Sequence, residues 1–138
     1  TLARTFTDIS ARLDVTNWSQ VAATVEQTVH HPAFVVIATK IPPAGMETEF
    51  TDALSRLTER HTVLVASATD PDELRARRGR ADAEEVFLAA SAALSQRADE
   101  AGAADVRLAG ALTLEASADL LPARTADRYI ELKKSGRL

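Results

Sequence analysis

Residues 33–38 (AFVVIA) and 61–67 (HTVLVAS) are two short apolar runs, and they decide the fold of this chain. Both runs are rich in β-branched residues and are too short to form buried helices. Runs of this kind, separated by an amphipathic helix, are typical of neighbouring parallel strands that are covered on both faces. The sequence therefore predicts an α/β fold, a three-layer open, mainly parallel sheet of about three strands with helices on both faces.

The segment between the two runs completes a strand–helix–strand unit. Residues 41–45 (IPPAG) have the composition of a loop. The apolar residues that follow recur at helical spacing: Met46, Phe50, Ala53, Leu54 and Leu57. The whole unit has roughly the 35-residue length of a βαβ crossover, so its strands are expected to be parallel and the connection right-handed.

Further helices are predicted from apolar periodicity and from capping residues. An early helix is indicated by Leu2, Phe6, Ile9 and Leu13. A second helix begins after Asn17, a predicted N-cap, and its stripe stops before residues 30–32 (HHP). A long helix is predicted between a cap at Asp82 and an end at Gly102. Its predicted apolar face is the set Ala83, Val86, Phe87, Ala90, Leu94, Ala98 and Ala101.

The C-terminal part of the chain predicts one more strand and one more helix. Residues 105–109 (DVRLA) alternate in a way that favours a third strand, with Val106 and Leu108 on one side. The final helix is predicted within residues 120–138 and ends at Gly136. Its sheet-facing residues are expected to be Ala126, Tyr129 and Ile130.

Length and composition exclude several classes of protein. The chain has 138 residues, 46% of them apolar, which is enough for one domain with a sizeable core. With a net charge of −4, the chain lacks the excess of positive charge that is typical of nucleic-acid-binding proteins. The basic residues 75–80 (RARRGR) are interpreted as a solvated turn. No cysteine is present for a disulfide or a thiolate metal site. No apolar stretch approaches the ~18 residues of a membrane span, and no signal-peptide pattern occurs.

Ligands of open α/β sheets bind beyond the carboxyl ends of the strands, and this rule selects the candidate site. The residues at that position are Thr39, Lys40, Thr69, Asp70 and Asp72. They form no recognisable catalytic set, and the chain lacks a Gly-x-Ser-x-Gly elbow, a P-loop and a dinucleotide-binding glycine motif. We therefore interpret them as a partner-binding surface.

Other candidate residues have simpler structural interpretations. Asp70 and Asp72 could bind a hard cation through oxygen, but carboxylates that flank a proline after a strand more often form a turn and a helix start. The adjacent His30 and His31 cannot act as a chelating pair and are interpreted as a helix end. His61 lies at the amino end of its strand, away from the expected site.

The strand at residues 33–38 is expected to lie inside a larger sheet. Edge strands usually carry a charge, a proline or a bulge that discourages pairing, and this run carries none. We therefore expect another strand beside it in a longer protein. Because the chain begins at Thr1 rather than Met, it is expected to be a processed form or an excised piece of that protein. The isolated chain is expected to cover this edge by forming a homo-oligomer through strand 33–38.

Several short segments of the sequence resemble those of a known family. They are residues 16–19 (TNWS), 34–39 (FVVIAT), 60–67 (RHTVLVAS), 69–71 (TDP), 126–133 (ADRYIELK) and 136–138 (GRL). Together they resemble the C-terminal half of the von Willebrand factor A-like domain of the bacterial domain-of-unknown-function family fifty-eight. The resemblance spans nearly the whole chain and implies a single partial domain over residues 1–138 with a Rossmann-like sheet.

The resemblance also implies a cellular setting. Members look like membrane-anchored proteins with this domain in the cytoplasm, often encoded beside MoxR-type AAA+ ATPases. The strand that carries the family's Asp-x-Ser-x-Ser metal motif would precede Thr1. Where related domains place a metal-supporting aspartate, this chain has Thr39 and Lys40, and an ammonium group opposes a divalent ion. No metal ligand and no cofactor are therefore carried over.

These observations favour a non-enzymatic protein-interaction or scaffold domain of a membrane-anchored protein, with a protein partner such as a MoxR-type ATPase. This segment is expected neither to bind nucleic acid nor to enter the membrane itself. The main alternative is a small metal-dependent hydrolase or phosphoryl-transfer enzyme that uses Asp70 and Asp72. A third possibility is an isolated regulatory fold that works only as a dimer.

Overall fold

The computed structural model describes residues 15–72 and 85–138. The predicted early helix at residues 2–13, the basic residues 75–80 and the Asp82 cap lie outside them. The described elements, in chain order, are α1 (Trp18–Thr28), β1 (Phe34–Ala38), α2 (Thr48–Thr58), β2 (Thr62–Thr69), α3 (Glu85–Leu108), β3 (Leu112–Ser117) and α4 (Leu121–Lys134).

The three strands form one sheet in the order β1-β2-β3, and both pairings are parallel. Val36 lies opposite Leu64 in the first pairing, and Leu64 lies opposite Leu112 in the second. The central strand β2 is buried from Val63 to Ser67 without interruption. Burial on both faces explains why its sequence is continuously apolar instead of alternating.

The sheet separates two unequal helical layers. One face packs against α1, α2 and α3, and the main core includes Val63 and Val65 of β2 together with Phe50 and Leu54 of α2. Because side chains alternate along a strand, Leu64 and Ala66 point to the opposite face. That face is contacted by α4, which packs on β2 and β3. The predicted class is confirmed: a three-layer α/β fold of Rossmann-like type with an open parallel sheet.

The start of α1 follows from its sequence. The Asn17 side chain accepts a hydrogen bond from the Gln20 N–H at 2.9 Å, which confirms the predicted N-cap. Trp18 is buried against Phe50, with 4.6 Å between the ring centroids, and its indole N–H donates to a Glu47 carboxylate oxygen at 3.0 Å. Trp18 is therefore a core residue that anchors α1 to α2.

The predicted third strand at residues 105–109 was wrong, and so was the helix end at Gly102. Residues 105–108 are the last turn of α3, and the strand follows at Leu112–Ser117. The helix ends at Gly110, whose φ is +92°. The Gly110 N–H bonds the Arg107 carbonyl at 2.9 Å and the Ala111 N–H bonds the Val106 carbonyl at 3.2 Å, which is a Schellman C-cap.

The predicted packing faces of α3 and α4 were also wrong in part. In α3, Leu94 is 67% exposed and Ala101 is exposed, whereas Ala103 and Val106 are buried in the core. In α4, the buried residue is Leu132, while Ile130 is 47% exposed. Tyr129 does reach the sheet, since its ring lies 5.7 Å from that of Phe34, and Gly136, with a φ of +71°, terminates α4 just after its C-cap Ser135, as predicted.

Gly102 has a packing role that explains its place in the middle of a helix. A Cβ atom at this position would overlap the carbonyl oxygen of Pro42, in the loop after β1. The missing side chain therefore lets α3 approach that loop closely.

We expect Gly102→Ala to destabilise the fold by about 1–3 kcal/mol, because the clash outweighs the gain in helix propensity of about 1 kcal/mol. Denaturant unfolding followed by circular dichroism measures the change. Ala101→Ser, at an exposed position on the same helix, is the control and should change stability by less than about 0.5 kcal/mol. An unchanged or raised stability of Gly102→Ala would contradict the close approach.

His61 joins the amino ends of β1 and β2. The imidazole is buried, and its Nδ1 accepts a hydrogen bond from the Ala33 N–H at 3.1 Å, while the Thr62 N–H donates to the Ala33 carbonyl at 2.9 Å. Within the described residues, the His61 Nε2 is buried without a hydrogen-bond partner. His30 and His31, by contrast, are outside the core and follow the end of α1.

His61→Ala should lower the free energy of unfolding by about 1–3 kcal/mol, because the Ala33 N–H loses its acceptor and the imidazole leaves a void. Urea titration provides the measurement. His31→Ala removes an exposed imidazole nearby and should leave the unfolding midpoint almost unchanged. If both variants lose the same stability, the His61–Ala33 bond is not what joins the two strands.

Candidate functional site

The carboxyl ends of β1 and β2 lie side by side, as parallel pairing requires. The ladder continues one residue past β1, because the Thr39 N–H donates to the Ala66 carbonyl at 3.0 Å. Lys40, which comes next, is therefore held beside the end of β2. Lys40 and Thr69, two of the predicted site residues, line the same cleft.

This cleft, which we call the α3 cleft, has a volume of about 610 Å³. Its walls are the end of β2, the middle of β3 and one side of α3. The α3 residues on the wall are Gln96, Asp99, Glu100, Ala103 and Arg107. Their spacing of three and four places them on one face of the helix. The size lies within the range of about 300–1,000 Å³ that is usual for binding sites.

Both signs of charge line the α3 cleft. The cations on its described wall are Lys40 and Arg107, and the carboxylates are Asp99, Glu100 and Glu115. The Gln96 amide donates to a Glu100 carboxylate oxygen at 3.0 Å, which is a side-chain pair one helical turn apart. Such a surface can form charge-assisted hydrogen bonds with a partner that presents both carboxylates and cations.

The other predicted site residues lie elsewhere at this end of the sheet. Asp70 and Asp72 are not among the residues that line the α3 cleft. Asp70 accepts a hydrogen bond from the Asp72 N–H at 2.8 Å, and Pro71 and Asp72 are helical, so Asp70 caps a helical turn. The Thr39 hydroxyl donates to the Lys40 carbonyl at 3.3 Å.

Metal-ligating side chains are not clustered in the described part of the molecule. Among residues 15–72 and 85–138, no group of three or more His, Cys, Asp or Glu side chains is placed to hold a metal ion. In the same residues, no helix has the length and the apolar character to cross a membrane.

Asp119 adds a fixed negative charge beyond the carboxyl end of β3. A hydrogen bond with the Ser117 side chain, assisted by the backbone amides of Asp119 and Leu120, lowers the pKa of the Asp119 carboxyl below its ordinary value. The group is therefore ionised at neutral pH, on the same end of the sheet as the α3 cleft.

Sequence reasoning missed the α3 wall of the cleft. The polar residues Gln96, Asp99, Glu100 and Arg107 share a helix face with Ala103, and that repeat of three and four is visible in the sequence. It was hidden because the predicted helix ended at Gly102 and its apolar face was placed on Leu94 and Ala101. Glu115 was missed because β3 was assigned to the wrong residues.

The fold and the cleft define a class: an α/β protein with an open parallel sheet and a polar cleft at the carboxyl ends of its strands. Comparisons of the chain with protein-family models, with curated proteins and with solved structures found no match. The resemblance to the von Willebrand factor A-like domain of family fifty-eight therefore stays a prediction from the sequence.

Proposed function

We propose that this chain is a non-enzymatic protein-interaction domain that binds a protein partner in the α3 cleft, at the carboxyl end of its sheet. The observation that carries the proposal is the cleft itself, where Lys40 and Arg107 accompany three carboxylates in a space bounded by α3 and the sheet. Mixed charges of this kind give specificity and orientation to a protein interface.

The side chains that line the cleft favour recognition over catalysis. Three hydroxyl residues, Ser67, Thr69 and Thr113, lie along it, but no histidine or cysteine is among its described lining residues. A hydroxyl nucleophile usually needs an adjacent general base, most often histidine. The Asp70 carboxylate, on which a metal-dependent hydrolase would rely, accepts a hydrogen bond from the Asp72 N–H and so caps a helical turn.

The resemblance to family fifty-eight supplies the partner that we propose to test first. It is a MoxR-type AAA+ ATPase encoded beside the gene for this chain. In the same proposal, the full-length protein is anchored in a membrane and holds this domain in the cytoplasm. These two elements rest on the resemblance, whereas the binding surface rests on the geometry of the cleft.

We expect Lys40→Glu and Arg107→Glu each to weaken binding of the purified neighbouring MoxR-type ATPase by about tenfold, because each replaces a cation of the cleft with a carboxylate. Isothermal titration calorimetry measures the dissociation constants. Lys134→Glu is the matched control, since Lys134 is exposed on α4 and does not line the cleft.

Two results would overturn the proposal. One is an equal loss of affinity in Lys134→Glu, which would show a general charge effect. The other is a rise in melting temperature with millimolar magnesium or manganese that Asp70→Ala abolishes, because that result would favour the metal-dependent enzyme.

We also propose that the isolated chain associates through the outer edge of β1. The Thr62 N–H donates to the Ala33 carbonyl, and the Thr39 N–H donates to β2. Backbone groups of a parallel strand alternate in direction, so those of Phe34, Val36 and Ala38 point away from β2. Within the described ranges, no strand pairs with this edge. A second copy can supply the missing partner.

Val36→Lys should shift the chain toward monomer at high micromolar concentration, because a lysine on an edge strand discourages pairing. The Val36 side chain is 41% exposed, so the substitution is compatible with the fold. Light scattering gives the mass. Val15→Lys, at a position that is 98% exposed and outside the strand, is the control. A strictly monomeric wild-type chain at the same concentration contradicts this proposal.

A further inference from the structure

A second depression, which we call the basic groove, lies at the opposite end of the sheet from the α3 cleft. It has a volume of about 360 Å³ and is formed where β1 and β2 begin and α4 ends. Its floor and walls include Pro32, Phe34, Tyr129 and Leu138, and its charged side chains are Arg60, Lys133 and Arg137, three cations against the single α-carboxylate that Leu138 carries in the 138-residue chain. The groove therefore combines an aromatic wall with a cationic rim.

The charge of the groove is the reverse of the charge of the chain. The sequence carries a net charge of −4, yet the described side chains that line the groove include three basic residues and neither aspartate nor glutamate. Cations gathered around a concave surface attract anions and raise their local concentration. The basic groove is therefore suited to an anionic ligand.

Contacts at this end of the fold orient the side chains of Arg60 and Lys133 and fix the backbone of Arg137. The Arg60 guanidinium donates to the His30 carbonyl, which orients it and leaves other N–H groups to bind an anion. The Lys133 ammonium lies 5.7 Å from the centre of the Tyr129 ring. The Arg137 backbone N–H donates to the Leu132 carbonyl at 3.0 Å, which fixes that residue in the C-cap of α4.

The aromatic wall gives the groove a second surface that a ligand can contact. The rings of Phe34 and Tyr129 are 5.7 Å apart and tilted by 44°, and Tyr129 is 39% exposed. An exposed ring beside a cationic rim offers both stacking or edge contacts and charge-assisted hydrogen bonds to one ligand. Arginine binds phosphate oxygens in a bidentate manner, and lysine adds a point charge.

We propose that the basic groove binds a small phosphate monoester that carries a ring, an aryl or nucleoside phosphate. The phosphate lies among Arg60, Lys133 and Arg137, and the ring packs on Tyr129 and Phe34. This site is separate from the α3 cleft, so it is tested independently of the proposed partner.

The test is a titration of the isotope-labelled chain, followed by backbone amide signals in nuclear magnetic resonance spectra. The probes are phenyl phosphate, adenosine monophosphate, inorganic phosphate and phenol. We expect one of the two ring-bearing phosphates to give saturable shifts at the amides of Phe34, Thr62 and Lys133. Inorganic phosphate should bind at least about threefold more weakly, phenol should not saturate, and added salt should weaken binding.

Two variants separate the charge from the ring. Lys133→Ala should weaken phenyl phosphate about three- to fivefold, while Lys134→Ala, one residue further along α4 and outside the groove, should change it less than about twofold. Tyr129→Leu keeps an apolar side chain and should remove the preference for phenyl phosphate over inorganic phosphate.

The proposal is overturned if neither ring-bearing phosphate saturates at millimolar concentration, or if the shifts map to the α3 cleft. It is also overturned if Lys134→Ala weakens binding as much as Lys133→Ala. A result in which inorganic phosphate binds as tightly as phenyl phosphate would overturn the role of the aromatic wall.

Discussion

The burial of β2 on both faces and along both edges is the constraint on which the structure depends. Its backbone groups pair with β1 on one side and with β3 on the other, so that they are satisfied away from water. Its side chains enter both helical layers, with Val63 and Val65 on one face and Leu64 and Ala66 on the other. A polar side chain in the middle of this strand would be removed from water on either face of the sheet, which is energetically costly. The sequence contains no polar residue between Thr62 and Ser67.

Parallel pairing around β2 also gives the molecule two chemically different ends. All three strands end on one side, where the cleft residues of both charge signs gather around the start of the β1–α2 loop. All three begin on the other side, where α4 returns and brings Tyr129, Lys133 and Arg137 to the first residues of β1 and β2. The difference in charge between the α3 cleft and the basic groove follows from which helical surface lies at each site: the polar side of α3 at the cleft and the C-terminal end of α4 at the groove.

Sequence patterns predicted the elements that depend on local contacts. The positions of β1 and β2 were predicted correctly from their apolar runs, and the α2 residues Phe50, Ala53, Leu54 and Leu57 are buried as their helical spacing indicates. Met46 of the predicted stripe precedes α2 and is 74% exposed, and Val36 of β1 is 41% exposed, so the expected cover on both faces holds for β2 and not for β1. The end of α3 depended instead on contacts that are remote in sequence. Gly102 looks like a helix end, but it is required by the carbonyl of Pro42, far earlier in the chain. Residues 105–109 alternate like a strand, but the Gly110 cap ends a helix there.

The same distinction between local and remote contacts applies to the candidate site. Lys40 and Thr69 could be placed together from sequence, because parallel strands must end on the same side of a sheet. The α3 wall could not, since the rotation of α3 about its axis is set by Ala103 and Val106 as they pack on the core.

At the amino end of the sheet, the short segment before β2 contributes both to stability and to the proposed binding groove. Arg60 and His61 are adjacent in sequence, and they point in opposite directions at the start of β2. His61 turns inward and accepts from the Ala33 N–H, while Arg60 turns outward and donates to the His30 carbonyl. Both bonds connect the end of α2 to the chain that leads into β1. The Arg60 guanidinium at the rim of the basic groove is oriented by its own bond to the His30 carbonyl, and a side chain oriented before a ligand arrives loses less entropy on binding.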